Sequence, residues 1–195
     1  MMLEALSPLG GAFGEPHALA DITLAEVTER SDLGALLITA IEPGSERAKS
    51  IGLAIGCSLP MTHGLVVECG DKRAIWLTPR SWLILCNPSD EEHISRSVQA
   101  KFPDRTVLAS RFSDALGWLT LEGERAEALL TQGSFVTFDA TGLAVGSAKR
   151  TLVAGIPVVI QRESEMRWTV GVERSRAQYF VDWLKGLTLS FGESP

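Results

Sequence analysis

The apolar positions of this chain fall into short runs that switch between strand-like and helix-like spacing, and the same order of runs occurs twice. Ala35 to Ile41 alternates as a strand, and Pro43-Gly44 turns the chain into a helix that Ser45 can cap. Ala48, Ile51, Gly52 and Ile55 place an apolar stripe on that helix, and Gly56 and Pro60 stop it. Leu65 to Cys69 and Ala74 to Leu77 are β-rich runs around Gly70-Asp71-Lys72-Arg73, a hairpin pattern. Beyond the turn Thr78-Pro79-Arg80-Ser81 come a strand, Trp82 to Cys86, and a helix opened by Ser89. Ser89 and Glu92 have capping-box spacing: the hydroxyl can accept from the Glu92 N–H while that carboxylate reaches back. The helix buries Ile94, Val98 and Phe102, and Pro103 ends it.

The second half starts over. Ala115 to Glu122 reads as a strand and Glu124 to Thr131 as a helix with acids in its first turn, where the helix dipole favours them. Arg150 to Ala154, Pro157 to Gln161 and Arg167 to Val172 are strand-like, with Pro157 predicting an edge position or a bulge. A last helix carries Ala177, Phe180, Val181 and Leu184 on one face, widened by Tyr179 and Trp183, and ends at Gly186. The stripe Ala126, Leu129, Leu130, Gly133 follows the first stripe by 78 residues, and Trp168 follows Trp82 by 86. The difference places extra residues in the loop from Gln132 to Ser147.

Two repeats are too few for a solenoid, which needs about three stacked units to bury a continuous core. The expectation is therefore an α+β protein, two pseudo-symmetric β-α-β-β-β-α halves (33–103 and 115–187) forming one globule within a single domain, 22–187. Residues 1–21 mix Pro8, Gly10, Gly11, Gly14 and Pro16 without periodicity and read as an irregular arm, either frayed or ordered against another subunit. Residues 188–195 read as a tail.

Composition narrows the partners. A net charge of −6 without a basic stripe argues against nucleic acid. The longest apolar stretch, within Leu33 to Ile41, is far shorter than a membrane helix, and Met1-Met2-Leu3-Glu4 lacks the look of a secretory signal, so the expected location is the cytoplasm. At 45% hydrophobic residues and a mean hydropathy of +0.13, the chain is slightly apolar, as a large core or a partner-facing surface would make it.

Chemistry is sparse. Cys57, Cys69 and Cys86 are odd in number and form no C-x-x-C pair, so buried, inert thiols are expected, with no disulfide framework and no thiolate zinc site. His17, His63 and His93 lack partners at ligand spacing; His63, beside Gly64, could in principle serve as a base but reads as a solvent-facing loop residue. Asp114, Glu122 and Asp139 could hold a proton or an amine if a cleft brought them together, but read as solvated acids. The stretch Gly142 to Lys149 has the wrong spacing for a phosphate loop and reads as a flexible loop, and there is no G-x-S-x-G elbow. Trp82 and Trp168 occupy equivalent positions and are expected to anchor each sheet on its helix, whereas Trp76 and Trp118 could face a partner. Hence no catalytic residue and no metal ligand is assigned, and cofactor-binding residues are left open.

Three stretches carry a family resemblance from about Leu24 onward. Leu77-Thr78-Pro79-Arg80-Ser81-Trp82-Leu83-Ile84 resembles an L-G-P-D-E-W-L-L stretch, and Gly123 to Gly133 resembles G-x-x-A-x-x-L-L-x-x-G. Val172-Glu173-Arg174-Ser175-Arg176-Ala177 through Trp183-Leu184 resembles V-x-R-S-x-A-x-x-x-x-x-W-L. In this order they are similar to the gamma subunit of heterotetrameric sarcosine oxidase. The resemblance implies the folate-binding-domain fold of the glycine cleavage aminomethyltransferase. It also implies an assembly that oxidises sarcosine to glycine and hydrogen peroxide and passes the methyl carbon to tetrahydrofolate as 5,10-methylene-tetrahydrofolate. In the family, FAD, FMN, NAD and folate belong to the alpha and beta subunits and zinc to delta; the gamma chain is structural and docks on alpha. Two departures stand out: nothing matches K-G-C-Y-x-G-Q-E, and Gly133-Ser134-Phe135 stands where many gamma chains have Gly-Cys-Pro. The first speaks against the alternative of a free-standing tetrahydrofolate-dependent aminomethyltransferase-like protein; the second allows a related N-methylamino-acid oxidase.

Overall fold

Strand-forming apolar runs must bury both their faces and their edges, and the chain does this by pairing strands far apart in sequence. The computed structural model describes residues 7–20, 22 and 24–192, with side chains to 187. Residues 1–6 and Asp21 of the expected arm, and 193–195 of the expected tail, lie outside the described residues. Two compact units are present: Leu33–Asp114, continuous, and a divided unit made of Met1–Asp32 and Ala115–Pro195.

Two short strands come first, β1 (Pro16–Ala18) and β2 (Glu26–Arg30). The continuous unit then runs β3 (Gly34–Ala40), α1 (Ser45–Ile55), β4 (Val66–Cys69), β5 (Lys72–Thr78), β6 (Ser81–Cys86), α2 (Glu91–Lys101) and β7 (Val107–Arg111). Its sheet is antiparallel in the order β4-β5-β6-β3-β7. The helices cover one face, burying Leu36, Ile38, Trp82, Ile84, Ile51 and Ile94 in one cluster. Ala35, Leu83 and Leu85 are buried as well, so both faces are dry, and this is why Trp82 to Cys86 reads as an unbroken apolar run. Each such fully buried aliphatic side chain contributes about 1.5–3 kcal/mol.

The divided unit resumes with β8 (Leu116–Glu122), α3 (Ala126–Thr131), β9 (Ser147–Val153), β10 (Ile156–Arg162), β11 (Arg167–Glu173) and α4 (Ala177–Gly192). Its sheet has the order β1-β2-β8-β11-β10-β9. Leu119, Leu121, Val158, Ile160, Trp168 and Val170 face α3 and α4. The expected β-α-β-β-β-α order is present in each unit, and the equivalent stripes Ala48, Ile51, Gly52, Ile55 and Ala126, Leu129, Leu130 are both buried.

Several local expectations change. Ser45 is the first residue of α1 and caps nothing with its side chain. The Ser89–Glu92 capping box is absent: Asn87 Oδ1 instead accepts from the Ser89 N–H (3.2 Å) and hydroxyl (2.9 Å) over a short 3-10 turn, and Glu92 pairs with Arg96 (2.8 Å). An Asx turn centred two residues earlier engages the Ser89 hydroxyl as a donor, so it is not turned toward the Glu92 N–H. Pro157 lies in an interior strand, opposite Leu152 of β9, just outside the β10–β11 ladder that begins at Val158, so its missing N–H breaks no ladder bond to β11. The last helix continues past Gly186 to Gly192.

The arm is not wholly irregular. β1 pairs with β2 in register His17↔Glu29, and Glu29, only 1% exposed, accepts from Ser7 Oγ (2.7 Å) and Leu9 N (3.2 Å). A carboxylate buried this way strongly favours the donors that satisfy it. Glu29→Ala is expected to cost about 1–3 kcal/mol by orphaning them. In limited digestion by a broad-specificity protease, cleavage within 8–20 should become several-fold faster than in the parent protein; unchanged protection would mean that strand pairing alone holds the arm.

Candidate functional site

Buried charge is the first place to look for chemistry, because an unpaired ion in a dry core is too expensive to keep without a purpose. Among the described residues Glu29, Glu91 and Arg162 are the buried charged side chains, and each is consumed within its own unit. Glu91, in the first turn of α2, accepts from Arg111 Nε (2.9 Å) and the Ser113 hydroxyl, while Ser113 Oγ accepts from the Ala35 N–H (2.7 Å). The carboxylate thereby ties the end of β7 to the start of β3, and its hydrogen bond and charge raise the Arg111 pKa. Arg162, 5% exposed, donates to the carbonyls of Phe138 and Leu143 (3.5 Å to the latter), pairs with Glu127 (2.9 Å) and Glu165 (2.6 Å), and stacks 4.7 Å from the Trp168 ring.

That arginine explains the stretch Gly142 to Lys149. Leu143 is buried and its N–H bonds to the Thr137 carbonyl (2.9 Å), the Gly146 N–H bonds to the Arg162 carbonyl (2.7 Å), and Ser147 opens β9. The segment is a pinned connector where a flexible loop was expected, and the pinning residue lies downstream in β10, beyond the reach of any local motif.

The sequence-derived candidates are on different elements. Asp114 is exposed in a turn, and Glu122, exposed at the end of β8, pairs with Arg167. Asp139 accepts from Thr141 Oγ1 (2.6 Å), Thr141 N (2.8 Å) and Gly142 N (2.8 Å), and the Thr141 hydroxyl bond foremost, then the two amides, hold its pKa at about 2 against an ordinary 3.8. A depressed carboxylate stabilises the fold above its unfolded pKa, and the contribution is lost as pH falls through the folded value. The 137–143 turn should therefore loosen between about pH 4 and 2, read from the amide shifts of Thr141 and Gly142; Asp139→Asn should abolish that titration.

His17, His63 and His93 are all exposed, and His63 meets Trp76 edge-on at 5.2 Å. No group of three or more His, Cys, Asp or Glu positioned to hold a metal occurs among the described residues. Trp82 and Trp168 are fully buried, as their equivalence predicts. Trp118 is 3% exposed, not partner-facing: it lies across the strand pair from Gly171, where an added Cβ would sit 2.6 Å from the ring, so only glycine fits opposite. Trp76 is half-buried against the core of the continuous unit.

Among the described residues, two cavities lined by side chains with chemistry bear on the candidates. On the divided unit's sheet, a cavity of about 260 Å3 holds Arg30, Thr120, Glu122 and Arg167. Arg30 meets Asp32 through two 2.8 Å bonds, and Arg167 pairs with Glu122 and Glu163 (3.0 Å to the latter), so both cations are already neutralised. The bond to Asp32 raises the Arg30 pKa; burial pushes Asp32 upward, but the hydrogen bond and charge of Arg30 prevail and lower it. On the continuous unit, a cavity of about 720 Å3 beside α1 is lined mainly by apolar and small residues, among them Gly52, Leu53, Leu59 and Met61, with Lys49 at its rim. Cys57 and Cys69 also line it and are disulfide-bonded, Cα to Cα 5.4 Å, which overturns the expectation of three inert thiols. Counting cysteines could not reveal this, because the bond depends on β4 returning beside the end of α1. Cys86 alone is free; burial, then the Glu91 and Asp90 charges, push its thiol up to about 12.

Against known proteins, residues 40–189 match the sequence model of the sarcosine oxidase, gamma subunit family. The chain is 23% identical over 188 residues to sarcosine oxidase subunit gamma of Corynebacterium sp. strain P-1, covering 96% of this chain and 90% of that one. It is 26% identical over 166 residues to the subunit of strain U-96, covering 84% and 77%. In structure it is similar to a chain of the heterotetrameric sarcosine oxidase of Corynebacterium sp. U-96 in complex with pyrrole 2-carboxylate: TM-score 0.78, 23% identity, 88% and 87% covered. The aminomethyltransferase T of the glycine cleavage system of Bartonella henselae shares the fold at TM-score 0.59 and 11% identity, over 81% of this chain and 44% of that one.

Proposed function

The chain belongs to the sarcosine oxidase, gamma subunit family, and from that premise we propose that it is the structural, non-catalytic chain of an oxidoreductase assembly that converts sarcosine to glycine and hydrogen peroxide and yields 5,10-methylene-tetrahydrofolate. The observation that carries this reading is the family match over 40–189, which takes in most of the continuous unit and, in the divided one, β8 to β11, α3 and most of α4. The fate of the buried charges supports the non-catalytic part: Glu29, Glu91 and Arg162 are engaged in holding an arm, two strand ends and a connector. In this reading FAD, FMN, NAD and tetrahydrofolate sit on alpha and beta subunits, this chain docks on alpha beside beta and delta, and the assembly is cytoplasmic. No helix among the described residues is long and apolar enough to cross a membrane.

Co-expression with candidate alpha, beta and delta subunits tests the proposal. The chain should co-purify in stoichiometric amount, and omitting it should lower the yield of assembled, sarcosine-oxidising enzyme. A chain that never co-purifies and leaves sarcosine oxidation unchanged would refute it. Titration of the chain alone with tetrahydrofolate should show no heat of binding.

A further inference from the structure

We propose that Cys57 and Cys69 are a reversible thiol-oxidation site, closed to a disulfide by hydrogen peroxide and reopened by low-molecular-weight thiols. The source of peroxide rests on the function proposed above; the chemistry of the pair does not.

Position makes the pair competent. Gly56 closes α1 in a left-handed conformation, and the Cys57 N–H then bonds to the Gly52 carbonyl at 3.1 Å, which fixes where Cys57 begins. Cys69 is the last residue of β4, a four-residue strand at the sheet edge that pairs only with β5. Their Cα separation of 5.4 Å lies in the range a disulfide spans. Cys57 is buried and Cys69 half-buried, and both line the open cavity beside α1, which gives a molecule the size of peroxide a path to the pair without unfolding. Cys86, the last residue of β6, is buried and silent.

The steps balance. One thiolate attacks a peroxide oxygen: an S–O bond forms, the O–O bond breaks, and the departing hydroxide leaves as water. The second thiolate attacks that sulfur, forming S–S and breaking S–O, and a second water leaves. Two electrons pass from the pair to one peroxide; reopening takes two electrons from a dithiol or two monothiols. The closed bond ties β4 to the end of α1 across the wall of the cavity. Once it opens, the 58–65 connection keeps the bond from Trp82 Nε1 to the Pro60 carbonyl (2.7 Å), while the edge strand loses its tether.

The test uses the full-length chain under native conditions: dithiothreitol, then hydrogen peroxide, then iodoacetamide labelling with peptide mass spectrometry. After reduction Cys57 and Cys69 should label together and Cys86 should not. Peroxide should abolish both labels at once, restore the Cys57–Cys69 cross-linked peptide, and slow hydrogen exchange over 58–69 several-fold relative to the reduced form. Cys57→Ser should leave Cys69 over-oxidised without a cross-link and remove the exchange difference. A bond that yields to dithiothreitol only after denaturation, or peroxide that modifies one cysteine and forms no cross-link, overturns the proposal. In the co-expressed assembly, sarcosine turnover replaces added peroxide. Closure by added peroxide but not by turnover supports the thiol assignment and counts against the peroxide-producing function instead.

Discussion

Truncating Trp168 to alanine is expected to cost about 3–5 kcal/mol, among the largest losses any single substitution in this chain can produce. The ring is fully buried, meets Phe138 at a centroid distance of 4.7 Å and lies under the Arg162 guanidinium, so its removal opens a void that the sheet cannot close. At about 2–4 °C per kcal/mol for a chain of this size, the midpoint of thermal unfolding should fall by roughly 6–20 °C. Trp82→Ala should cost a similar amount in the equivalent position. Phenylalanine separates the two sites. Trp82 Nε1 donates to the Pro60 carbonyl at 2.7 Å, and Trp82→Phe leaves that buried acceptor unserved for about 1–3 kcal/mol. Trp168 Nε1 is buried without a partner, so Trp168→Phe removes an unsatisfied donor and no hydrogen bond. Urea midpoints should therefore rank Trp82→Phe as the more damaging change; equal midpoint shifts would show that the indole hydrogen bond carries no net weight.

Removing the Arg162 guanidinium should be nearly as costly, and for a different reason. Glu127 and Glu165 are 44% and 78% exposed, so water takes over both carboxylates when the arginine goes, and these exposed pairs contribute little. What water cannot easily replace are the bonds to the Phe138 and Leu143 carbonyls beside buried Phe138 and Leu143. Leaving two such acceptors unpaired costs about 1–3 kcal/mol each, so Arg162→Met, which keeps most of the packing on Trp168, should still lose about 2–4 kcal/mol. The loss should be local in its first symptom. Hydrogen exchange over 134–146 should accelerate before β10 and β11 are affected, while Glu165→Gln should leave both stability and exchange nearly unchanged. Uniform acceleration across the divided unit would mean that the arginine holds the sheet rather than the connector.

Much of the fold is legible in the sequence. Strand and helix runs repeat in one order because each must present an apolar face at its own period, and the two stripes and two tryptophans mark equivalent places in that order. What failed were signals that depend on a distant partner. The Pro16-His17-Ala18 strand has no alternation of its own and exists because β2 offers an edge. β7, beyond Pro103, pairs with β3, which precedes it by two helices and three strands. Trp118 looked partner-facing because nothing nearby in sequence shows that Gly171 clears a seat for its ring. The disulfide beside α1 was illegible for the same reason: two cysteines separated by twelve positions carry no mark of adjacency until a helix end and a strand end are placed together.

Alone, the sequence determined the β-α-β-β-β-α succession within each half, the anchors of each sheet, and the family resemblance carried by three ordered stretches. These are local patterns, imposed by the geometry of helix and strand on residues close in the chain. Only the tertiary structure decided which strands close each sheet, which carboxylate holds the arm, which arginine pins the 132–147 connector, and which thiols meet. Each of those contacts joins residues whose separation along the chain says nothing about their distance in space, because that distance is set by how the intervening elements pack.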